Sequence, residues 1–409
     1  MFNKINNQRT EPVNKLIVSG PLFAALIAAG QFALPGAAAA QSWVQTTAPS
    51  QSWTGIASSA DGATLVAVAD DFPTAPIYYS TDSGSNWTQA TAPSHEWTAV
   101  AMSADGSKMV AVGDEYPTGP ICVSTNFGST WQQTTATASD YVAVMSSADG
   151  SKLMAASQVY PTGPVYVSTN YGNAWNPALI SGQEWTGLAG SADASKLVAV
   201  AETPPGSPIF YSTNSGGAWS QADAPPAGWL AVASSALGDK MAAIGSEVIY
   251  VSTNFGQDWT ISGAPGEQWT AITSSADGTT LAATASGDDI YMSTDSGDTW
   301  TNLNAPPSEW TSIAASADGK QLVASVSGGG IYIWQAAASP CLSIQHSGTS
   351  TVLSWTIPSS NFALQQNSNL SATNWMNLPK RPVLNFTNLQ NQVVVPSATG
   401  QQFFRLQSQ

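Results

Sequence analysis

The chain has 409 residues, of which 43% are hydrophobic and only 9% are charged, and its formal net charge at pH 7 is −15. This length allows roughly two or three average domains or one closed repeat array, and the apolar content is sufficient for a core. The acidic excess argues against nucleic acid and against an anionic membrane surface as partners. Because Ser, Thr, Asn and Gly supply most of the polarity, the composition favours an all-β extracellular protein.

Residues 1–40 are typical of an export signal. Lys4, Arg9 and Lys15 form a basic start, an apolar stretch follows at residues 16–34, and the small residues PGAAAAQ come next. This pattern predicts cleavage after Ala40 and export to the periplasm, the cell surface or the extracellular space. An uncleaved membrane anchor is the alternative, but a proline and a glutamine interrupt the stretch. Cleavage changes the formal charge from −15 to −17, and the mature chain is expected to have no membrane span.

Six copies of one eight-residue motif lie between residues 80 and 300. The motif predicts a strand, a tight turn and a second strand that begins at a tryptophan. The Asp or Asn accepts backbone N–H bonds, the Gly supplies a positive φ, and the Trp packs. The copies are STDSGSNW (80–87), STNFGSTW (124–131), STNYGNAW (168–175), STNSGGAW (212–219), STNFGQDW (252–259) and STDSGDTW (293–300). The residues predicted to hold these turns are Asp82, Gly84, Trp87, Asn126, Gly128, Trp131, Asn170, Gly172, Trp175, Asn214, Gly216, Trp219, Asn254, Gly256, Trp259, Asp295, Gly297 and Trp300.

A second motif, with WTGIASSADG (53–62) as its first copy, sets the period of the chain. Its copies begin at Trp53, Trp97, Tyr141, Trp185, Trp229, Trp269 and Trp310, with spacings of 44, 44, 44, 44, 40 and 41 residues. Self-similarity at this period, with short strands, is typical of a propeller or a solenoid. Each repeat holds four predicted strands, which is the content of one propeller blade. The sequence therefore predicts an all-β, seven-bladed β-propeller over residues 41–338.

The two ends of the repeat array predict how the ring closes. The last repeat has three predicted strands but no turn motif and no fourth strand. The segment SWVQTTAPS (42–50) belongs to no repeat, yet it matches NWTQATAPS (86–94), the fourth strand of the first repeat. We therefore expect the N-terminal strand to complete the seventh blade, which leaves no open edge between the first and last blades.

The six turn motifs resemble the Asp-box, or bacterial neuraminidase repeat. This repeat occurs in sialidases, in two-propeller xyloglucanases, in sortilin-type receptors and in photosystem II stability factor propellers, and the resemblance covers residues 42–336. It implies that the box is a folding element between the third and fourth strands, away from the usual ligand face. The resemblance therefore indicates a superfamily but does not indicate which activity, if any, the protein has.

Residues 339–409 lack the repeat and are predicted to form a small β-sandwich. Short alternating runs, among them TVLSWTI (351–357) and QFFRLQ (402–407), are separated by turn residues. The segment resembles the terminal immunoglobulin-like or fibronectin-like modules of exported multidomain bacterial proteins. The resemblance implies a role in adhesion, spacing or sorting.

Arginine content argues against a sialidase. Sialidases hold the substrate carboxylate with three arginines, because a rigid cationic fork pairs bidentately with it. The chain contains only Arg9, Arg381 and Arg405, and none lies in the predicted propeller. A xyloglucanase-like glycoside hydrolase would need two placed carboxylates, commonly in a cleft between two propellers, and one propeller is encoded.

The loops after the second strands and before the first strands form the predicted ligand face. In the first three repeats these loops carry aromatic residues beside acids and stiff prolines, as in DEYPTGP (114–120), and they are shortened in the last three repeats. Aromatic and acidic groups on a rigid loop suit a sugar or a basic peptide, although the aromatic rings could instead pack on neighbouring blades. The candidate ligand-binding residues are Asp70, Phe72, Asp114, Glu115, Tyr116, Tyr160, Glu202, Glu96, Glu184 and Glu309.

The leading hypothesis is thus an exported, monomeric, non-catalytic propeller that binds a glycan or a protein. A carbohydrate-active enzyme is the alternative, and an assembly factor resembling photosystem II stability factors is the third. No catalytic residue, cofactor or metal site is predicted; calcium stays an option because of the acidity, although no D-x-D-x-D-G loop is present. The two cysteines, Cys122 and Cys341, provide no disulfide framework, and whether they pair stays open.

Overall fold

A computed structural model describes most of the chain after residue 41. The described ranges are 42–71, 75–114, 119–159, 163–180, 182–202, 207–245, 247–336, 342–347, 349–356, 362–368, 375–378, 382–385, 390–396 and 402–408. Outside them lie the predicted signal peptide, Phe72, Glu115, Tyr116, Tyr160 and Cys341. Regular structure in the described ranges is β-strand without α-helix, which confirms the predicted all-β class. The described residues form two compact units, 42–336 and 342–408.

In the first unit, consecutive strands of each repeat pair antiparallel in chain order. The first four repeats contain β2 (Gln51–Ser58), β3 (Leu65–Ala69), β4 (Ile77–Ser80), β5 (Thr88–Gln89), β6 (Trp97–Met102), β7 (Met109–Gly113), β8 (Ile121–Ser124), β9 (Gln132–Gln133), β10 (Tyr141–Ser146), β11 (Leu153–Ser157), β12 (Val165–Ser168), β13 (Asn176–Pro177), β14 (Trp185–Gly190), β15 (Leu197–Ala201), β16 (Ile209–Ser212) and β17 (Ser220–Gln221). The last three contain β18 (Ala231–Ser234), β19 (Met241–Ile244), β20 (Ile249–Ser252), β21 (Thr260–Ile261), β22 (Trp269–Ser274), β23 (Leu281–Asp288), β24 (Ile290–Ser293), β25 (Thr301–Asn302), β26 (Ser308–Ala315), β27 (Gln321–Gly329) and β28 (Ile331–Gln335).

The N-terminal strand joins the last repeat. β1 (Val44–Gln45) pairs antiparallel with β28, with Val44 opposite Ile333. β27 also pairs with β2, where Gln51 is opposite Gly329, so the last repeat connects to the first. The sheet edge of β28 is therefore covered by a strand from the start of the described chain.

The core lies between neighbouring repeats. All residues of the second strands β3, β7, β11, β15 and β19 are buried, because small Ala and Val side chains allow close packing from both sides. The aromatic residue that begins each second motif is at most 1% exposed. It meets a third-strand aromatic edge to face in six repeats, as Trp53 meets Tyr78 at 5.8 Å between ring centroids. In the second repeat Cys122 occupies that third-strand position, and Trp97 packs against His95 at 5.3 Å.

A ring of backbone hydrogen bonds connects the turns after the first strands. One alanine of each S-A-D-G-type turn donates its N–H to the C=O of the corresponding alanine in the next repeat. The order is Ala60, Ala104, Ala148, Ala192, Ala236, Ala276 and Ala317, at 2.7–2.8 Å, and Ala317 donates back to Ala60 at 2.8 Å. These bonds satisfy turn backbone groups that would otherwise need water.

The turns of the eight-residue motif are held by their own side chains. In the first copy, Ser80 Oγ donates to Asp82 Oδ1 at 2.8 Å and accepts the N–H of Gly84 at 2.9 Å. Both the Gly and the residue before it have positive φ in every copy, for example Gly84 at 80° and Ser83 at 57°. The tryptophans of the motif are buried less deeply than those of the first strands: Trp131 and Trp259 are 5% exposed and the other four are half-buried.

Four of the turns after the first strands contain a Ser–Asp pair in which the carboxyl pKa is lowered. Hydrogen bonds from Ser191 Oγ and from the N–H of Ser195 lower the pKa of Asp193 to about 2. For Asp105, Asp149 and Asp277, burial alone would raise the pKa, but similar hydrogen bonds outweigh it and the pKa is lowered. In the turn of the seventh repeat, burial raises the pKa of Asp318.

We expect the free energy of unfolding to fall as pH decreases from about 4 to about 2. A carboxyl with a folded-state pKa near 2 and an ordinary value of 3.8 stabilises the folded state above about pH 4, and this contribution is lost as pH falls through about 2. Urea unfolding at pH 5 and at pH 2.5 measures the loss, and Asp193→Asn should reduce the difference between the two. Equal unfolding midpoints at both pH values would contradict the prediction.

The second unit consists of two small antiparallel sheets. Its strands are β29 (Leu342–Ser347), β30 (Ser350–Thr356), β31 (Phe362–Asn367), β32 (Met376–Asn377), β33 (Val383–Asn385), β34 (Gln390–Pro396) and β35 (Phe403–Ser408). One sheet has the order β29-β30-β34-β33 and the other β32-β31-β35. Leu353, Trp355, Leu364, Val393 and Phe404 form a buried core.

Candidate ligand-binding face

The first-strand aromatics fasten the loops that form the predicted ligand face. Five of the six first-strand indole N–H groups donate to a backbone C=O at the end of the second strand of the preceding repeat or in the loop after it. The bonds are Trp53 to Gly329 at 3.1 Å, Trp97 to Ala75 at 3.2 Å, Trp185 to Gly163 at 2.8 Å, Trp229 to Ser207 at 2.7 Å and Trp310 to Asp288 at 2.9 Å. The loops are thereby held by the neighbouring repeat.

Three predicted site residues lie together in an acidic cluster. The N–H of Asp114 donates to the C=O of Glu96 at 3.2 Å. Burial, followed by the charges of Glu96, Asp140 and Asp70, raises the pKa of Asp114. The acidic cluster, defined as Asp70, Glu96, Asp114 and Asp140, thus draws side chains from three consecutive repeats. A carboxyl with a raised pKa among ionised neighbours can hold a proton or pair with an incoming cation.

The other predicted site residues in the described ranges lie at two separate places. The N–H of Glu202 donates to the C=O of Glu184 at 2.9 Å, so these two are neighbours. Glu309 accepts a hydrogen bond from Ser286 Oγ at 2.9 Å, across the join between β23 and β26. The candidates Phe72, Glu115, Tyr116 and Tyr160 fall outside the described residues, so their place on this face stays a prediction.

A second polar group, between the fifth and sixth repeats, was not selected from the sequence. Gln268 Nε2 donates to Glu247 Oε1 at 3.3 Å, and the hydroxyl of Tyr291 donates to Glu267 Oε1 at 3.3 Å. Burial raises the pKa of Tyr291, and the charges of Glu267 and Asp288 act in the same direction. The shortened loop of the fifth repeat was the signal that could have drawn attention to it.

The lysines of the first unit belong to the opposite end of the sheets. All five follow the turn after a first strand, and no arginine occurs in residues 42–336. Lys108 Nζ donates to the C=O of Asp149 and Lys152 Nζ to that of Asp193, each at 2.9 Å, so these two tie neighbouring turns together. The candidate ligand-binding face therefore has acidic side chains, and in the described part of residues 42–336 no lysine or arginine lies beside them.

Other features limit the chemistry of the described part of the chain. Within it, no group of three or more His, Cys, Asp or Glu side chains has an arrangement suited to a metal ion. Cys122 is buried, which raises the pKa of its thiol to about 12, and it forms no disulfide bond with a described residue. The described ranges also contain no helix with the length and apolar character needed to span a bilayer.

Comparisons with known proteins identify the fold. No protein-family model matches the chain, and no curated protein sequence matches it. It is similar to the structure of YCF48 from Cyanidioschyzon merolae, with a TM-score of 0.56 and 13% identity over 72% of this chain and 98% of that chain. YCF48 bound to D1 peptide gives a TM-score of 0.56 and 14% identity, over 73% of this chain and 96% of that chain.

A glycoside hydrolase has the same architecture. The GH74 xyloglucanase from Xanthomonas campestris is similar with a TM-score of 0.56 and 13% identity, over 77% of this chain and 59% of that chain. At these identities the likeness concerns the fold and not the activity. The chain therefore has a β-propeller fold, as the period of its repeats predicted.

Proposed function

We propose that the chain is an exported, non-catalytic, seven-bladed β-propeller that binds a protein ligand through its acidic face. The observation that carries the proposal is the acidic cluster, Asp70, Glu96, Asp114 and Asp140, on a face without lysine or arginine. Such a face attracts cationic segments and steers their approach. The mature protein acts as a monomeric binding or scaffold protein, with residues 339–409 as a small β-sandwich module.

Two observations support seven blades closed by the N-terminal strand. The seven-membered ring of alanine hydrogen bonds returns to its first member, and β1 completes the strand set of the last repeat. A closed ring has no exposed edge strand and presents its loops as a rigid rim. That rigidity suits recognition, because little loop entropy is lost on binding.

A protein ligand is favoured over a glycan. YCF48 has the same fold, and its structure is known with a bound D1 peptide. The described part of this face has many carboxylates, and a cationic side chain compensates them better than a neutral sugar does. An assembly role, in which the propeller holds a partner segment, is the third hypothesis and uses the same face.

A glycoside hydrolase is the second candidate. The fold likeness to a xyloglucanase and the raised pKa of Asp114 beside other carboxyls favour it, because a protonated carboxyl can act as general acid. Against it, the acidic cluster of this chain lies on the loops of a single propeller, whereas the two-propeller enzymes place their carboxylates in a cleft between propellers.

The test combines binding and hydrolysis on the full chain. We expect the protein to retain members of an array of immobilised basic peptides and to release no reducing sugar from xyloglucan. The double variant Glu96→Gln with Asp114→Asn should weaken peptide binding by roughly tenfold or more, because two carboxylates of the face lose their charge. Asp298→Asn, on an exposed Asp-box turn, is the matched control and should bind like the parent.

Other outcomes are equally informative. Turnover of xyloglucan that is lost in Asp114→Asn would overturn the non-catalytic proposal in favour of the hydrolase. Retention by a glycan array and not by peptides would replace the protein ligand with a glycan.

A further inference from the structure

An apolar cavity opens between the third and fourth repeats, at the end of the sheets where the eight-residue motifs turn. Its volume is about 40 Å³, and every residue that lines it lies in the described ranges. Lys152 of the third repeat and Ser215 of the fourth line it, so we call it the Ser215 cavity. The apolar part of its wall is formed by Met145, Leu153, Met154, Val167 and Leu197. Because this wall offers water few hydrogen-bond partners, the cavity favours an apolar occupant.

The same place between the second and third repeats is covered by a tyrosine. The cavity there has only about 10 Å³, and Tyr171 lines it where Ser215 lines the larger one. Both residues precede the glycine of their motif copy, and their backbones are alike, with φ of 62° for Tyr171 and 59° for Ser215. Tyr171 is 43% exposed, so its ring is only partly inserted between the repeats. The Ser215 cavity therefore corresponds to the space that an aromatic ring occupies one repeat earlier.

A lysine lies over the ring wherever the aromatic residue follows a repeat that has one. Lys108 Nζ is 5.0 Å from the centroid of the Tyr171 ring. Lys196 Nζ is 5.6 Å from the centroid of Phe255, which holds the same motif position in the fifth repeat. Lys152 is held as Lys108 is, because each Nζ donates to an Asp C=O of the next turn at 2.9 Å. No aromatic ring of the described chain lies under Lys152, so this join has the lysine and the apolar wall without the ring.

The motif glycines show independently that the two repeats pack loosely at this join. A Cβ on Gly172 would lie 2.8 Å from Val123 of the preceding repeat. A Cβ on Gly216 would have its three nearest atoms in Leu197 and Trp219 of its own repeat, at 3.4 Å or more. Gly216 is half-buried, whereas the other five motif glycines, all in the described ranges, are buried. The opening therefore comes from the spacing of the repeats as well as from the small serine.

We propose that the Ser215 cavity binds an aromatic side chain of a partner protein. The ring enters beside Ser215, packs on the apolar wall and lies under Lys152 Nζ, as the ring of Tyr171 lies under Lys108 Nζ. Apolar contact and the cation–π interaction stabilise the same occupant, and aromatic side chains seated in such cavities are common anchors of protein interfaces. This site is at the opposite end of the sheets from the acidic cluster, so it goes beyond the proposed function and does not depend on it.

Nuclear magnetic resonance of methionine methyl groups tests the proposal, because Met145 and Met154 line the Ser215 cavity and Met109 lines the smaller one. The full chain is labelled with ¹³C-methyl methionine and titrated with N-acetyl-phenylalanine amide, with N-acetyl-leucine amide as matched control. Single Met→Leu variants assign the signals. We expect the Met145 and Met154 signals to shift and saturate with the phenylalanine probe only, at roughly millimolar concentration. The Met109 signal should stay in place.

Exchange of the two motif residues gives the sharpest control, since their backbones are alike. Ser215→Tyr should fill the cavity from within and abolish the response of Met145 and Met154. Tyr171→Ser should open the smaller cavity and make the Met109 signal respond to the phenylalanine probe. Lys152→Met keeps an apolar stem without the charge and should weaken the probe by roughly two- to fivefold.

The opposite results overturn the proposal. Met145 and Met154 signals that ignore the phenylalanine probe would show that the cavity takes no ring, and an equal response to the leucine probe would show that it does not select one. A response that survives in Ser215→Tyr would place the probe elsewhere. Tighter binding of toluene than of the phenylalanine probe would replace the partner side chain with a small aromatic compound. None of these results bears on basic peptides at the acidic cluster, so the proposed function stands or fails separately.

Discussion

Deletion of residues 42–50 is expected to lower the free energy of unfolding by about 3–5 kcal/mol, because it removes a paired strand and its core contacts. β1 pairs with β28, and the N–H of Thr46 donates to the C=O of Ile331 at 2.8 Å. Trp43 lies 5.9 Å from Trp310 between ring centroids, so its loss leaves a cavity beside a fully buried ring. Urea unfolding followed by circular dichroism measures the change.

A point substitution in β1 is the control for the deletion, because it changes the sequence of the strand without removing it. Val44 is 61% exposed, so Val44→Ala should change stability by no more than about 0.5 kcal/mol. An unchanged unfolding midpoint after deletion of residues 42–50 would mean that β1 contributes nothing to the ring, and the closure by the N-terminal strand would be wrong.

Trp185→Ala is expected to destabilise the fold by about 3–5 kcal/mol, and Trp175→Ala by clearly less. Trp185 is 0% exposed, meets Phe210 at 5.8 Å and donates to the C=O of Gly163 at 2.8 Å. Trp175 ends the third copy of the eight-residue turn motif, is half-buried and donates locally to the C=O of Gly172 at 3.1 Å. Its removal therefore opens a smaller cavity and breaks only a hydrogen bond within the turn.

The paired variants are compared by urea unfolding under identical conditions. Trp185→Phe should recover part of the loss, since the ring is restored but the hydrogen bond to Gly163 is not. Equal destabilisation by Trp185→Ala and Trp175→Ala would contradict the distinction between first-strand and Asp-box tryptophans. Trp175→Ala removes no contact to the loops of the candidate ligand face, so its peptide binding below the unfolding transition serves as a check of folding.

Much of the fold could be predicted from the sequence because the same turn and strand motifs recur in successive repeats. The Asp-box predicted the turn between third and fourth strands, and the serine, the Asp and the positive-φ Gly act there as turn chemistry requires. The match of residues 42–50 to 86–94 predicted the partner of the last repeat, and β1 does pair with β28. The fourth strands have two residues each and begin one residue after the tryptophan at which they were predicted to start, as in Gln132–Gln133.

The candidate site was only partly readable. The sequence predicted Asp70, Glu96 and Asp114 as site residues, and the structure brings them near one another. The sequence did not indicate that Asp140 lies in the same cluster. Nor could it indicate which tryptophans are buried deepest, because that depends on whether a ring lies between two sheets or at the rim of one.

Sequence alone determined the number of repeats, the turn chemistry, the lack of arginine in residues 42–336 and the all-β class, since each depends on residue type and spacing. Tertiary structure decided the relations between repeats: the ring of alanine hydrogen bonds, the acids that surround Asp114, and the Ser215 cavity between the third and fourth repeats. The physical reason is that a hydrogen bond or a charge interaction requires two groups at a defined distance. When those groups come from neighbouring repeats, only the packing of one repeat on the next sets that distance.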